Sequence, residues 1–147
     1  MTQMGTEDKM NDNFNIIDNE TIEKLPSLEG CTAEELAQFI GDVLYTKKAH
    51  DIQKLHVGKQ TVIAEEFVLC TGSSGSQVRA LTDEVEYRTE QRGVTPIRVE
   101  GRDNNAWVIM DYGTVLVHIF SREARQFYNL EKLWAEGEEI PFEATED

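Results

Sequence analysis

The stretch Cys70-Thr71-Gly72-Ser73-Ser74-Gly75-Ser76-Gln77 has the composition best suited to phosphate chemistry. A Gly-Ser loop that leaves a strand and opens a helix aims backbone N–H groups at one spot, and such a spot attracts anions. Phosphoryl transfer needs more than that seat. A P-loop carries a Lys, which this loop lacks. A two-metal route needs acidic ligands, usually a D-x-D pair on the neighbouring strand. The next strand reads Thr95-Pro96-Ile97-Arg98-Val99-Glu100, without such a pair. The loop is therefore read as a strand-to-helix turn, and neither a catalytic residue nor a cofactor is assigned to it.

Other groups capable of chemistry are scattered. Asp51 and Asp111 fall at strand ends, and Glu65-Glu66 precedes a strand. Paired carboxylates can serve as acid and base. Nothing in the sequence sets their separation, and acids at strand ends are usually solvated. His50 follows a helix and His56 lies in the first strand. His118 alternates with Leu116 and Phe120, opposite Val115, Val117 and Ile119. If the odd-numbered positions face the core, His118 lies on the other face, as a satisfied surface histidine or an interface residue. Cys31 and Cys70 are 39 apart, form no CxxC pair, and read as reduced thiols with Cys70 buried in a strand. No metal-ligand spacing is present, and an enzyme is not expected.

Aromatic residues are concentrated instead. Trp107, Tyr112, Phe120, Phe127, Tyr128 and Trp134 fall within thirty residues. Part of that set packs the core, but it exceeds what one hairpin-and-helix corner needs to bury. Aromatics beside an Arg are the usual material of binding hot spots. A hairpin at a sheet margin can also offer its backbone to a partner.

These residues are positioned by a legible order of elements. Thr32-Ala33-Glu34-Glu35 is a capping box, and Leu36, Phe39, Ile40, Val43 and Leu44 follow at helical steps to about Lys48. Asp51 to Val57 alternates as a strand, with Ile52 and Leu55 as core positions. Phe67 to Cys70 is a buried strand. A helix runs from about Ser76 to Arg92 with Val78, Leu81 and Val85 on one side, and Gly93 stops it. Pro96 to Val99 is the next strand. Ala106 to Asp111 and Val115 to Phe120 form a hairpin around Gly113. Ser121 caps a last helix carrying Phe127, Leu130 and Trp134. The order α-β-β-α-β-β-β-α predicts a single α/β domain, with a mixed five-stranded sheet and flanking helices.

The chain has 147 residues and a formal charge of −14, from 28 acids against 14 bases. The excess sits at the ends: residues 1–30 carry −5 and residues 131–147 carry −6. We read 1–30 as a disordered acidic extension, 31–135 as the folded domain and 136–147 as a loose acidic tail. So acidic a chain has no electrostatic route to phosphate backbones and is steered toward a basic partner. No apolar run is long enough to span a bilayer, and the N-terminus has no secretory pattern, so the cytoplasm is the expected compartment.

Three segments carry a resemblance over about Thr32 to Trp134: AEEFVLCTGSSGSQV, EGRDNNAWVIMDYGTVLVHIF and EARQFYNLEKLW. With their spacing of E-G, W-V, D-Y-G, V-H-F and F-Y-x-L-E-x-L-W, the chain resembles the ribosomal silencing factor (Iojap-like) family. The resemblance implies a nucleotidyltransferase-like fold without the catalytic acids, which agrees with the missing D-x-D. It implies binding to a large-subunit ribosomal protein, the fourteenth in the standard naming. Bulk at that site would block joining of the small subunit and lower translation when nutrients are short; the alternatives are a role in large-subunit maturation and a nucleotidyltransferase-like enzyme using the Gly72-Ser73 loop with Asp or Glu ligands. The bound form is expected to be a monomer. By position the resemblance marks Glu66, Trp107, Asp111, Tyr112, Gly113, His118, Phe120, Arg122 and Tyr128 as partner-binding candidates. Two departures stand out. Glu66 replaces the family's usual tyrosine in A-D-Y-F-V, and Thr114 replaces the last acid of D-Y-G-D. If position 66 lies in the contact, its charge calls for a Lys or Arg opposite.

Overall fold

The computed structural model describes residues 26–58, 64–127, 138–140 and 142. Helix α1 (Ala33–Thr46) begins at the expected capping box: Glu35 N donates to Thr32 Oγ1 at 3.1 Å, and Thr32 N donates to Glu35 Oε1 at 2.9 Å. Strands β1 (His50–His56) and β2 (Glu66–Gly72) follow, then α2 (Gly75–Gln91), capped by Ser74. Strands β3 (Arg98–Glu100), β4 (Trp107–Asp111) and β5 (Val115–Ser121) lead into the short α3 (Arg122–Phe127).

All five expected strands lie in one mixed sheet. A sixth, β6 (Glu138–Ile140), pairs antiparallel with β1, giving the order β3-β4-β5-β2-β1-β6. Three residues of the segment expected to be a loose tail are thus a strand. Their charge pattern hid this, because an edge strand paired on one side needs no apolar run. Close by in sequence, Phe142 lies against α1. A Cβ built on Gly41 would stand 2.4 Å from the Phe142 ring, so glycine is what seats it.

The central pair, β2 and β5, is parallel, and the remaining pairs are antiparallel. Helices α1 and α2 cover one face, over a core that includes Ile40, Leu44, Val68, Val78, Leu81, Val85, Val117 and Ile119. The opposite face holds a second cluster: Leu55, Val57, Phe67, Leu69, Leu116, Phe120 and Ala124 of α3. Ile52 and Leu55, three apart on β1, consequently serve different cores.

The burial of this second face corrects one expectation. His118 is not a surface histidine: it is 5% exposed, and Phe120 beside it is 0% exposed. Alternation correctly placed His118 opposite the odd-numbered core residues, but it cannot show that a second layer lies beyond them.

Candidate functional site: the β4–β5 hairpin and its Asp-Tyr-Gly turn

Antiparallel register sets Trp107 opposite Phe120, Ile109 opposite His118 and Asp111 opposite Leu116. Trp107 stacks on Phe120 with ring centroids 5.2 Å apart, and His118 meets Phe67 edge-on at 4.9 Å. The Trp107 indole N–H donates to His118 Nδ1 at 3.2 Å. That acceptor role fixes the neutral tautomer with its proton on Nε2, which is buried without a partner among the described residues. Burial pushes the His118 pKa down to about 4, so the ring stays neutral and serves neither as a cation nor as an acid near neutral pH.

The Asp-Tyr-Gly turn is a tight hydrogen-bonded unit. Asp111 Oδ1 accepts from Gly113 N at 2.8 Å, and its Oδ2 lies 3.4 Å from Arg98 Nε. Gly113 has φ +88°, which favours glycine. The Tyr112 hydroxyl shares a 2.8 Å hydrogen bond with Thr89 of α2, and burial raises its pKa to about 12. The carbonyl of Thr114 accepts from Glu65 N and Glu66 N, tying the turn to the start of β2. The preceding Glu100-Gly101 pair is also structural: a Cβ on Gly101 would lie 2.1 Å from the Trp107 carbonyl oxygen.

The candidate residues therefore divide. Trp107, Asp111 and Gly113 are half-buried, and Arg122 is exposed. Ile97, 68% exposed, stands beside Gly113 and extends the accessible strip. Phe120, His118, Tyr112 and Glu66 are buried: Phe120 and His118 lie against the Trp107 ring, Tyr112 bonds to Thr89 of α2, and Glu66 to His56. The Glu66 carboxylate (3% exposed) finds its partner inside the chain, with Oε2 2.7 Å from His56 Nδ1. It does not present a charge for an incoming Lys or Arg. Tyr128 lies outside the described residues, as do Leu130 and Trp134 and the side chain of Phe127. Sequence reasoning missed Arg125, whose guanidinium bonds Thr71 Oγ1 at 2.7 Å and Gln53 Oε1 at 3.1 Å and lies over Phe120. Its only sequence signal was its position one helical turn after Arg122.

The groups weighed for catalysis stay apart. Asp51, second in β1, lies near the carboxyl end of β2, whereas Asp111 and Glu66 lie toward the opposite end of the sheet on β4 and β2, with β5 between them. The Gly-Ser loop is filled by its own side chains. Gln77 Oε1 accepts from Ser73 N at 2.5 Å, and Ser74 Oγ accepts from Gln77 N at 3.1 Å. Among the described residues no group of three or more His, Cys, Asp or Glu is placed to hold a metal ion.

Known proteins match this chain over most of its length. The family model described as "Ribosomal silencing factor during starvation" (RsfS) matches residues 31–147. A ribosomal silencing factor RsfS from Halalkalibacterium halodurans is 34% identical over 112 residues, covering 76% of this chain and 96% of that protein. A crystal structure of a protein from Chromobacterium violaceum superposes with a TM-score of 0.68 at 31% identity, covering 76% of this chain and 92% of that one. The mouse protein named "Mitochondrial assembly of ribosomal large subunit protein 1" is 29% identical over 98 residues, which span 42% of its length.

Proposed function

Because the chain belongs to the ribosomal silencing factor family, whose members are named for a regulatory, non-enzymatic role, we propose that it binds the large ribosomal subunit through the fourteenth ribosomal protein and blocks subunit joining by its bulk. The observation that carries this reading is the accessible strip of Trp107, Asp111, Gly113 and Ile97 on a rigid hairpin. Trp107 at one end of β4, and Ile97 beside the Arg98–Asp111 ion pair at the other, form an elongated anchor for a protein surface. Arg122 and Tyr128 extend the proposed contact, while Phe120, His118, Tyr112 and Glu66 keep the anchor rigid from within. The net charge of −14 steers the protein to a basic site and disfavours adhesion to bare RNA. The protein acts as a monomer in the cytoplasm and lowers translation when nutrients are short.

Separated subunits mixed with the purified protein and run on a sucrose gradient test this. The protein is expected to co-migrate with the large subunit and to deplete whole ribosomes. Unaltered re-joining at saturating protein would refute it. Trp107→Ala should weaken binding to the isolated ribosomal protein by about tenfold or more while the fold persists. The name of the mouse relative favours large-subunit assembly as a second reading. Accumulation of immature large subunits on depletion, with joining unaffected, would select it.

A further inference from the structure

A second feature lies at the opposite end of the sheet from the Asp-Tyr-Gly turn. Strands β2 and β5 are parallel neighbours, with Thr71 beside Phe120 and Gly72 beside Ser121 at their carboxyl ends. From there the chain departs on opposite faces. After β2 it enters α2, whose Val78, Leu81 and Val85 pack on the first face; after β5 it enters α3, whose Ala124 packs on the second. A crevice opens wherever adjacent parallel strands send their connections to opposite sides, and α/β proteins place small ligands there.

Here that crevice is a cleft of about 370 Å³ lined by His50, Asp51, Thr71, Arg122, Arg125 and Gln126. Its volume is at the small end of ligand sites. Its charge inverts that of the molecule: two guanidiniums face one carboxylate in a chain where acids outnumber bases two to one. Arg125 is held in place across the cleft by Thr71 and Gln53. Among the described residues, no carboxylate lies within ion-pair distance of Arg122 or Arg125. A pre-positioned guanidinium with a second beside it suits the several acceptor oxygens of a phosphate group.

We propose that this cleft binds a small phosphorylated ligand. A polyanion would have to approach through the field of the whole acidic chain, whereas one or two phosphate groups meet chiefly the local cationic pair. The cleft adjoins the Trp107 end of that strip, since Arg125 lies over Phe120, on which Trp107 stacks, and Arg122 belongs to both; titration of the isolated chain with a small phosphate reads the cleft without any ribosomal partner, so its outcome is separate from that of the function proposed for the strip.

Calorimetric titration of the full chain with inorganic pyrophosphate tests the proposal. Saturable one-site binding is expected, weakened about tenfold by Arg122→Ala and by Arg125→Lys. Asp51→Asn should tighten binding severalfold, since it removes the only carboxylate among the described residues of the lining. Asp51 has φ +50°, a conformation that Asn adopts readily, so this variant leaves the backbone unstrained. Arg122 and Asp51 are both exposed, so neither change threatens folding. Absence of saturable binding would overturn the proposal, as would affinity indifferent to both Arg122→Ala and Asp51→Asn. Binding of a single-stranded RNA oligomer without binding of pyrophosphate would likewise replace the small-ligand site with a backbone contact.

Discussion

The indole N–H of Trp107 donates to Nδ1 of His118 across neighbouring antiparallel strands, at 3.2 Å. The bond joins the most accessible aromatic of the hairpin to a histidine buried between Phe67 and Phe120. It also requires that His118 remain unprotonated on that nitrogen.

Stability should therefore depend on pH through His118. Its folded pKa is about 4, against an ordinary value of 6.5. Between those values the unfolded chain binds a proton that the folded chain does not. Stability falls as pH drops through that window, by on the order of 3 kcal/mol at its lower end, and is insensitive to this group above it. His118→Gln retains an acceptor for Trp107 but cannot titrate. Denaturant unfolding of both proteins from pH 7.5 to 4 should show a shallower loss in the variant, and parallel curves would exclude this role.

Tyr112 and Thr89 tie the Asp-Tyr-Gly turn to α2 through their hydroxyls. Tyr112→Phe removes one hydroxyl, while Thr89 retains the carbonyl of Val85 as acceptor. The expected cost is about 1 kcal/mol. A double-mutant cycle with Thr89→Val should return a coupling of similar size, whereas additive effects would show that the bond contributes nothing.

Gly41→Ala sets two effects against each other. Alanine improves helix propensity by about 1 kcal/mol. Its Cβ would collide with the Phe142 ring, which must leave its seat. Hydrogen exchange should quicken in Glu138–Ile140 while the rest of α1 holds or gains protection. Unchanged exchange in β6 would show that Phe142 does not anchor the strand.

The two thiols should react unequally. Burial pushes the Cys70 thiol up to about 12, and Cys70 lies in a fully buried stretch of β2. Cys31 is half-buried at the start of the fold, with a more modest upward shift. A thiol reagent at pH 8 should label one cysteine in the native protein and the second only on unfolding. Rapid labelling of both would mean that β2 opens readily.

Much of the fold was legible because its signals are local. Thr32 and Glu35 sit at capping-box spacing, Val78, Leu81 and Val85 fall at helical steps, and Gly113 interrupts two apolar runs. Each is decided within a few residues. Strand β6 was not legible, since Glu138 and Glu139 announce a solvated tail and pairing with β1 depends on residues over eighty positions away. The site was legible as a region but not residue by residue. Composition marked the hairpin, while burial decided that Trp107 is accessible and Phe120 is not.

The linear order of residues alone determined the α/β class, the lack of any D-x-D pair, the acidity that favours a basic partner, and the signature shared with the silencing-factor family. These depend on residue type and short spacing. Tertiary structure alone decided that His118 is a neutral buried ring, that Glu66 bonds to His56, and that Arg122 and Arg125 line one cleft with Asp51. The reason is that burial, pKa and charge pairing are set by neighbours in space, and a sheet brings together side chains from strands distant in the chain.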